Sequence, residues 1–374
     1  MADNTSIEWA RHPVSGKRAS WNPVLARTKA LGLVGYHCEH VSPGCQFCYA
    51  ESHNQRKLPK SGTGLQFKPG HRDLVDIFLD EEKLIEPLHW RAPRGIFVCS
   101  MTDLFGSFVP NEMLDRIFAV MALAPRHIFM VLTKRPDRMR EYLADPNAAR
   151  RIYELACDLV LEHEIKVVLI APGIDEAHAP AGERIHLGQW PLPNVWLGTS
   201  AEDQERANER IPQLLETPAA VRFLSAEPLL DHLDLDAAWH GESALEAECW
   251  GDCAWCAKGH LPLHNCRRGL GDWLRSRSGI DWVIAGFESG RQARLAHDTE
   301  KSIAMLRATG APLLVMTFEH LVLRPAESAR IYARFVGAEL DVDAMAKVVM
   351  RRNPRCLPGM IEEGHIAQAL EATQ

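Results

Sequence analysis

Three cysteines, Cys38, Cys45 and Cys48, fall within eleven positions of the stretch "CEHVSPGCQFCYAE". Thiols this close together serve one of three chemistries: a disulfide with a spare, a tetrahedral zinc site, or the cradle of an iron–sulfur cluster. A structural zinc site takes four ligands, so His37 or His40 would have to join the three thiolates. A [4Fe–4S] cluster held by three thiolates keeps one iron open to a small chelating ligand. Pro43 and Gly44 let the chain bend sharply here, and Phe47 places an apolar ring where a cluster would need shielding from water.

A second group competes for the same reading. Cys249, Cys253 and Cys256 are spaced C-x3-C-x2-C, and Cys266 follows. Four thiols can saturate a metal, so this group reads as structural zinc, with His260 and His264 as substitute ligands. An auxiliary iron–sulfur cluster is the alternative. A stretch with so little apolar content needs such a staple. The chain has ten cysteines in 374 residues, too few for a disulfide scaffold, and seven of them sit in these two groups. That distribution suits a reducing compartment, and the polar start "MADNTSIEWARHPVSGK" has no apolar signal-peptide core, so a cytoplasmic location is expected. No apolar run is long enough to span a bilayer. Cys157 reads as helix packing and Cys356 as a surface residue.

The elements that must position these thiols follow a regular rhythm. Apolar runs at 95–101, 127–133, 194–200, 221–227, 281–289 and 311–318 read as strands buried on both faces of a parallel sheet. A further strand is expected just before Cys38, in "ALGLVGY". Amphipathic segments at 111–124, 201–216 and 298–310 read as the intervening helices, the second capped by Ser200 and the third begun by Asp298 and ended by Gly310. The expected fold is α/β, a partial or full (β/α) barrel of parallel strands. It spans 1–230 and 280–335, with a cysteine-rich insertion at 231–279 and a polar helical tail at 336–374. Residues 141–193 read as a further insertion, helical at first and then rich in Pro and Gly.

Several runs end in polar residues: Ser100 with Thr102 and Asp103, Thr133-Lys134-Arg135, Thr199-Ser200, Ser225 with Glu227, and Glu288-Ser289. Ligands of parallel α/β folds sit at the carboxyl ends of strands, so this succession predicts a common pocket. The net charge of −7 argues against a protein that coats duplex nucleic acid, although "TKRPDRMR" and "RRNPR" offer local basic runs. Tyr49, directly after the last cysteine, is the best-placed aromatic for stacking on a base, with Trp9 and Trp21 nearby in sequence.

The segments "SIEWARHPVSGKRASWNPV", "VSPGCQFCYAE", "SMTDLF", "VLTKRPDRM", "LPNVWLGTSAED", "RFLSAEPLL" and "WVIAGFESG" together resemble a phage-associated and bacterial family of radical S-adenosylmethionine (SAM)-like proteins. More distantly they are similar to the spore photoproduct lyase group of DNA-repair enzymes. The resemblance covers residues 6–310 apart from the two insertions. It implies a barrel with a [4Fe–4S] cluster and SAM at its mouth, the cluster held by Cys38, Cys45 and Cys48. Their C-x6-C-x2-C spacing is wider than the commonest C-x3-C-x2-C, which the later group has. Position decides between them: the SAM-binding cluster belongs in the loop after the first strand, and only Cys38–Cys48 lies there.

The resemblance further implies that Ser100, Thr102 and Asp103 receive the amino group of methionine. Lys134 and Ser200, with Thr199 beside it, would meet the carboxylate and ribose of SAM. Arg135, Glu227 and Glu288 are candidates for substrate or ribose, Cys99 for a hydrogen-atom donor, and Tyr49 for a place at the reacting centre. The implied reaction is reductive cleavage of SAM to methionine and a 5′-deoxyadenosyl radical acting on a nucleobase, nucleotide or nucleic acid. A reducing partner such as a flavodoxin or ferredoxin would supply the electron. The alternatives are a zinc-stabilised nucleic-acid-binding protein without catalysis, and an iron–sulfur redox protein that does not cleave SAM. Where relatives tend to Gly-Gly-Glu-Ser-Gly-Pro, this chain has "GFESGRQARL".

Overall fold

The computed structural model describes residues 7, 9–56, 62–170, 183–186, 189–231, 233–235, 244 and 279–285. The second cysteine group, Glu288, Ser289, Cys356, the expected strand at 311–318, the expected helix at 298–310 and the tail from 336 lie outside these residues.

In chain order the elements are β1 (Arg18–Trp21), β2 (Val24–Thr28), β3 (Val34–Gly35), α1 (Tyr49–Asn54), β4 (Val75–Leu79), α2 (Glu81–Leu84), α3 (Glu86–His89) and β5 (Gly95–Val98). They continue with α4 (Asn111–Ala122), β6 (Ile128–Thr133), α5 (Pro136–Ala144), α6 (Ala148–Glu162), β7 (Val167–Ile170), β8 (Glu183–His186), β9 (Val195–Ser200), α7 (Gln204–Leu215), β10 (Val221–Ala226) and β11 (Trp282–Ala285). The fold is mixed α/β around a six-stranded sheet in the order β1-β5-β6-β9-β10-β11. All five pairings are parallel, and the register brings the carboxyl ends level: Trp21 faces Val98, Thr133 faces Thr199 and Ser200 faces Ser225.

Each strand of this sheet lies beside its neighbour in order along the chain, so the sheet is wound in one direction. Crossovers of one hand then place their helices on one face. The packing agrees. Ile96, Val98, Phe129, Val131, Val195 and Leu197 face a core shared with Leu114, Ile117 and Phe118 of α4 and with Ile152, Ala156 and Leu159 of α6. The α4 residues recur at helical spacing, so a single stripe is buried. The alternate strand residues, Phe97, Met130, Trp196, Phe223, Trp282 and Ile284, face the other way. That face is covered by the N-terminal segment through Ile7, Trp9 and Ala10. The Trp9 ring lies 4.7 Å from Phe97, 6.0 Å from Phe223 and 6.1 Å from Trp282. Trp9 and the fully buried Trp21 are therefore packing residues and not base-stacking platforms.

Three sequence-based expectations are corrected. The first strand of the sheet is Arg18–Trp21 and not "ALGLVGY". Val34–Gly35 of that run instead pairs antiparallel with β2 in a small β3-β2-β4 sheet. Helix α7 is capped not by Ser200 but by Asp203, whose carboxylate accepts from the Arg206 N–H. Residues 141–162 are not an addition to the fold, because α6 supplies part of the main core and joins the crossover from β6 to β9. Cys157 lies on α6, packed against that core. No helix among the described residues is long and apolar enough to cross a membrane.

The aromatic face leaves no room for a side chain at Gly198 of β9. A Cβ there would lie 2.5 Å from the Phe223 ring. Gly198→Ala is expected to destabilise the protein by about 1–3 kcal/mol through overpacking. Adding Phe223→Leu should recover part of the loss, read in paired denaturant titrations.

Candidate functional site

The thiol-rich loop follows β1 and lies between β3 and β4 of the small antiparallel sheet. Cys38 lies just beyond β3, Cys45 closes a 3-10 turn at Pro43–Cys45, and Cys48 is the N-cap of α1. All three are free thiols. Burial pushes the Cys38 pKa up to about 12, with Asp103 adding to the shift and Arg135 opposing it. Burial also raises Cys48, with backbone N–H donors from Glu51 and Ala50 pulling the other way. Thiols in such surroundings stay protonated until a cation at the sulfur favours the thiolate. Among the described residues, no three Cys, His, Asp or Glu side chains converge as a metal-binding group as they stand.

Glu202, just after β9, holds this loop to the sheet. Its side chain is fully buried, and Oε1 accepts from the Gly44 N–H at 3.1 Å. Oε2 accepts from Arg210 Nη1 at 3.1 Å and lies 3.7 Å from Lys134 Nζ. Burial alone would raise the Glu202 pKa. Lys134, a Ser42 hydrogen bond, Arg210 and the Gly44 N–H together outweigh it, so the pKa sits below the ordinary value. Gly44 eases this approach, because a Cβ there would lie 3.1 Å from the carboxylate carbon and the carboxylate would have to give by a few tenths of an ångström. Arg210 also donates to the Ser200 carbonyl at 2.9 Å, tying α7 to the end of β9.

A second buried carboxylate, Asp103, organises the ends of β5 and β6. Its Oδ1 accepts from Thr133 Oγ1 at 2.6 Å and from the Phe105 N–H at 3.0 Å. Its Oδ2 accepts from the Lys134 N–H at 3.0 Å and from Arg135 Nη1 at 2.9 Å. Arg135 reaches on to the Glu39 carbonyl at 3.1 Å, beside Cys38. The Thr102 hydroxyl donates to the His37 carbonyl, and the Ser100 hydroxyl pairs with Asn22. Tyr49 donates its phenol to the Ser100 carbonyl at 2.5 Å, although the residue as a whole is 58 % exposed. Asn22, at the end of β1, also accepts from the Met101 N–H at 3.0 Å. The turn into this segment is made at Cys99, whose φ of 54° lies in the left-handed region. Its thiol is buried in the core, and burial, followed by Asp103, raises its pKa.

The expected strand-end residues are thus brought together across β5, β6, β9 and β10. Thr199 donates to the Thr133 carbonyl at 2.9 Å, and Ser200 is buried beside it. Burial raises the Glu227 pKa against hydrogen bonds from Trp9 and Ser225 and the charge of Lys134. Lys134 therefore stands between two carboxylates. Glu202 and Asn22 were missed as functional residues in the sequence reading. The first sits in a run that reads as the exposed start of a helix, and the second precedes a proline in a short polar stretch.

The donor set matches an iron–sulfur cluster in type, three thiols on one loop with Arg135 beside Cys38 to offset added negative charge, but the three do not converge as they stand. The fold and this edge define a mixed α/β protein with a six-stranded parallel sheet and a thiol-bearing loop over its strand ends. Residues 4–309 match the family described as protein of unknown function DUF5131, and the chain belongs to that family. No curated protein matches the chain, and no solved structure matches it.

The two acidic groups make opposite contributions to stability. The lowered Glu202 pKa gives stability that is present above its unfolded value and lost as the pH falls through its folded one. Glu202→Gln is expected to cost about 3–5 kcal/mol near neutral pH, because Arg210 and Lys134 lose their counter-charge. It should also flatten the stability profile on the acid side of the ordinary glutamate range, where the lowered Glu202 pKa makes wild type lose stability. Glu227, with its raised pKa, stabilises when protonated and loses that contribution as the pH rises, so Glu227→Gln should gain stability near neutrality. Thermal melts of both variants from acid to neutral pH check both signs.

Proposed function

We propose that the chain is a radical SAM enzyme that acts on a nucleobase, nucleotide or nucleic acid, modifying or repairing a base. The observation that carries the reading is the placement of Cys38, Cys45 and Cys48. They lie on the loop after the first strand of a parallel sheet wound in one direction, drawn to the carboxyl edge by Glu202. In this reading the sheet is the wall of a partial (β/α) barrel and the strand ends are its mouth. Cys38, Cys45 and Cys48 would hold a [4Fe–4S] cluster, with SAM bound beside it. When bound, that pair supplies a one-electron reductive cleavage of the sulfonium, which gives methionine and the 5′-deoxyadenosyl radical.

The chain's own residues then position and shield. Lys134 Nζ offers a positive charge at the strand ends for a carboxylate. Glu227, buried beside the Trp9 indole, can accept from a hydroxyl or hold a proton. Both oxygens of Asp103 are taken by protein donors, so its part is to fix Arg135 and Lys134. The Thr102 hydroxyl likewise anchors the backbone before Cys38. The aromatic packing of Trp9, Phe97, Phe223 and Trp282 closes the far side of the sheet to water, as a reactive radical requires. A flavodoxin or ferredoxin would deliver the electron in the cytoplasm.

One observation favours a second reading, in which zinc stabilises a non-catalytic nucleic-acid-binding protein. The His37 side chain is buried next to Cys38, and its Nε2 makes no hydrogen bond and stands 3.7 Å from Glu39 Oε1, so it could complete a three-cysteine, one-histidine site. Anaerobic purification with iron and sulfide analysis separates the two. The radical SAM reading expects brown protein that forms 5′-deoxyadenosine from SAM and dithionite. Cys38→Ala, Cys45→Ala and Cys48→Ala should each abolish that product, and Cys253→Ala should not. Colourless zinc protein would favour the second reading, and an iron–sulfur protein that forms no 5′-deoxyadenosine would be a redox carrier.

A further inference from the structure

Each of the three cysteines has an immediate chain neighbour bonded to a strand end of the parallel sheet. Before Cys38, the His37 carbonyl accepts from the Thr102 hydroxyl, just beyond β5. After it, the Glu39 carbonyl accepts from Arg135 Nη2 at 3.1 Å, just beyond β6. Before Cys45, the Gly44 N–H donates to Glu202 Oε1 at 3.1 Å, just beyond β9. After Cys48, the Tyr49 phenol donates to the Ser100 carbonyl at 2.5 Å, again beyond β5. These partners lie 51 to 158 positions apart in the chain, so the local course of the loop does not account for them.

The anchors are themselves held. Asn22, at the end of β1, accepts from the Met101 N–H at 3.0 Å and donates to the Ser100 hydroxyl at 3.2 Å. Asp103 fixes Arg135 at 2.9 Å, and Arg210 and Lys134 fix Glu202. Within the loop, the Cys45 N–H donates to the Ser42 carbonyl at 3.0 Å and the Cys48 N–H to the Cys45 carbonyl at 3.3 Å. One local turn therefore sets Cys45 against Cys48. Cys38 stands seven positions before Cys45, and its place relative to that pair is set by longer links. One runs through Phe67, which accepts from the His40 N–H at 3.2 Å and donates to Glu51 of α1 at 2.8 Å. The others run through the sheet, with Thr102 and Arg135 on the Cys38 side and Glu202 and Tyr49 on the side of the pair.

The three sulfurs do not converge as they stand. A cysteine side chain can turn toward a metal about its own χ1, but rotation does not correct a misplaced Cα. The tethers supply that placement. A loop left free would be ordered at the moment of metal binding, and the ordering cost would lower the affinity.

We infer that Thr102, Glu202 and Tyr49 are positioning residues for a metal site on Cys38, Cys45 and Cys48, and that with Arg135 they set its affinity for metal. This rests on the proposed reading of the three thiols as metal ligands, and it holds alike for iron and for zinc. It gives Thr102 and Tyr49 a task other than contact with a ligand, since each donates its hydroxyl proton to a backbone carbonyl beside or across from a thiol.

The test is protection of individual thiols by metal. Full-length apo-protein is titrated with buffered zinc(II) and alkylated with N-ethylmaleimide. Peptide mass spectrometry then quantifies Cys38, Cys45 and Cys48 separately from every other cysteine. Thr102→Val and Tyr49→Phe each remove one hydroxyl, and Glu202→Asp draws the carboxylate back from Gly44 while keeping its charge. Each should raise the free zinc needed for half-protection of the three thiols about tenfold, as loss of a group that orients a metal ligand does. Tyr142→Phe is the matched control. It removes a phenol bond of 2.7 Å to Asp115, between α5 and α4, and should leave half-protection as in wild type. Unchanged labelling of buried Cys99, and of Cys157 on α6, reports in the same samples that the fold is intact. If Glu202→Asp exposes them, the other two variants decide. Half-protection as in wild type for Thr102→Val and Tyr49→Phe overturns the inference, and so does an equal rise in Tyr142→Phe. Absence of protection in wild type removes the metal site and the inference with it. The expected shifts, with no 5′-deoxyadenosine from protein reconstituted with iron and sulfide, remove the radical chemistry and leave the tethers standing.

Discussion

A carboxylate with no access to water needs its charge compensated by the protein, and Glu202 draws that compensation from three directions. Lys134 comes from the end of β6, Arg210 from α7, and the Gly44 N–H from the thiol-bearing loop. None of the three can move away without leaving a buried charge short of partners, which is costly at low dielectric. The position of the cysteines over the sheet therefore follows from an acid-base contact and not from packing of the loop itself. Asp103 repeats the device one strand pair away, joining β5 to β6 and, through Arg135, to the backbone beside Cys38. The two carboxylates make the carboxyl edge of the sheet one connected polar layer.

The direction of winding explains why the rest of the molecule looks as it does. With the strands laid down in chain order, the helices gather on one face, and the other face needs a cover that is not a helix. The N-terminal segment provides it with Ile7, Trp9 and Ala10, against Phe97, Phe223 and Trp282. The same packing excludes a side chain at Gly198 and presents the Trp9 indole to Glu227, so the aromatic cover also tunes an acid at the site. At the carboxyl edge, Glu202 joins the thiol-bearing loop, through Gly44, to Lys134.

Much of the architecture could be read from residue order. The apolar runs at 95–101, 127–133, 194–200 and 221–227 are β5, β6, β9 and β10, since burial on both faces demands continuous apolar residues. The succession of polar strand ends does mark residues that meet. The first strand could not be read this way: "RASW" holds Arg18 and Ser20, and its place comes from its pairing with β5. Trp9 was ambiguous for the opposite reason, since an aromatic in a polar leader has no periodic partners to reveal what it packs against. Glu202 was hidden because an acid near the start of a helix is ordinarily a solvent-exposed match to the helix dipole.

Spacing along the chain is enough to group Cys38, Cys45 and Cys48 on one loop, to set the alternation of strands and helices, and to leave the stretch from 52 to 72 without an acidic residue. These are local properties, written in residue type and periodicity. That the loop lies over the strand ends, that Asp103 is saturated while Lys134 stands between two carboxylates, and that Tyr49 is tied to the end of β5 are all decided by contacts between residues far apart in the chain. Glu202 meets Gly44 across 158 positions, and Tyr49 meets Ser100 across 51. Such pairs form only when burial makes an unpaired polar group too costly, and burial is a property of the folded whole.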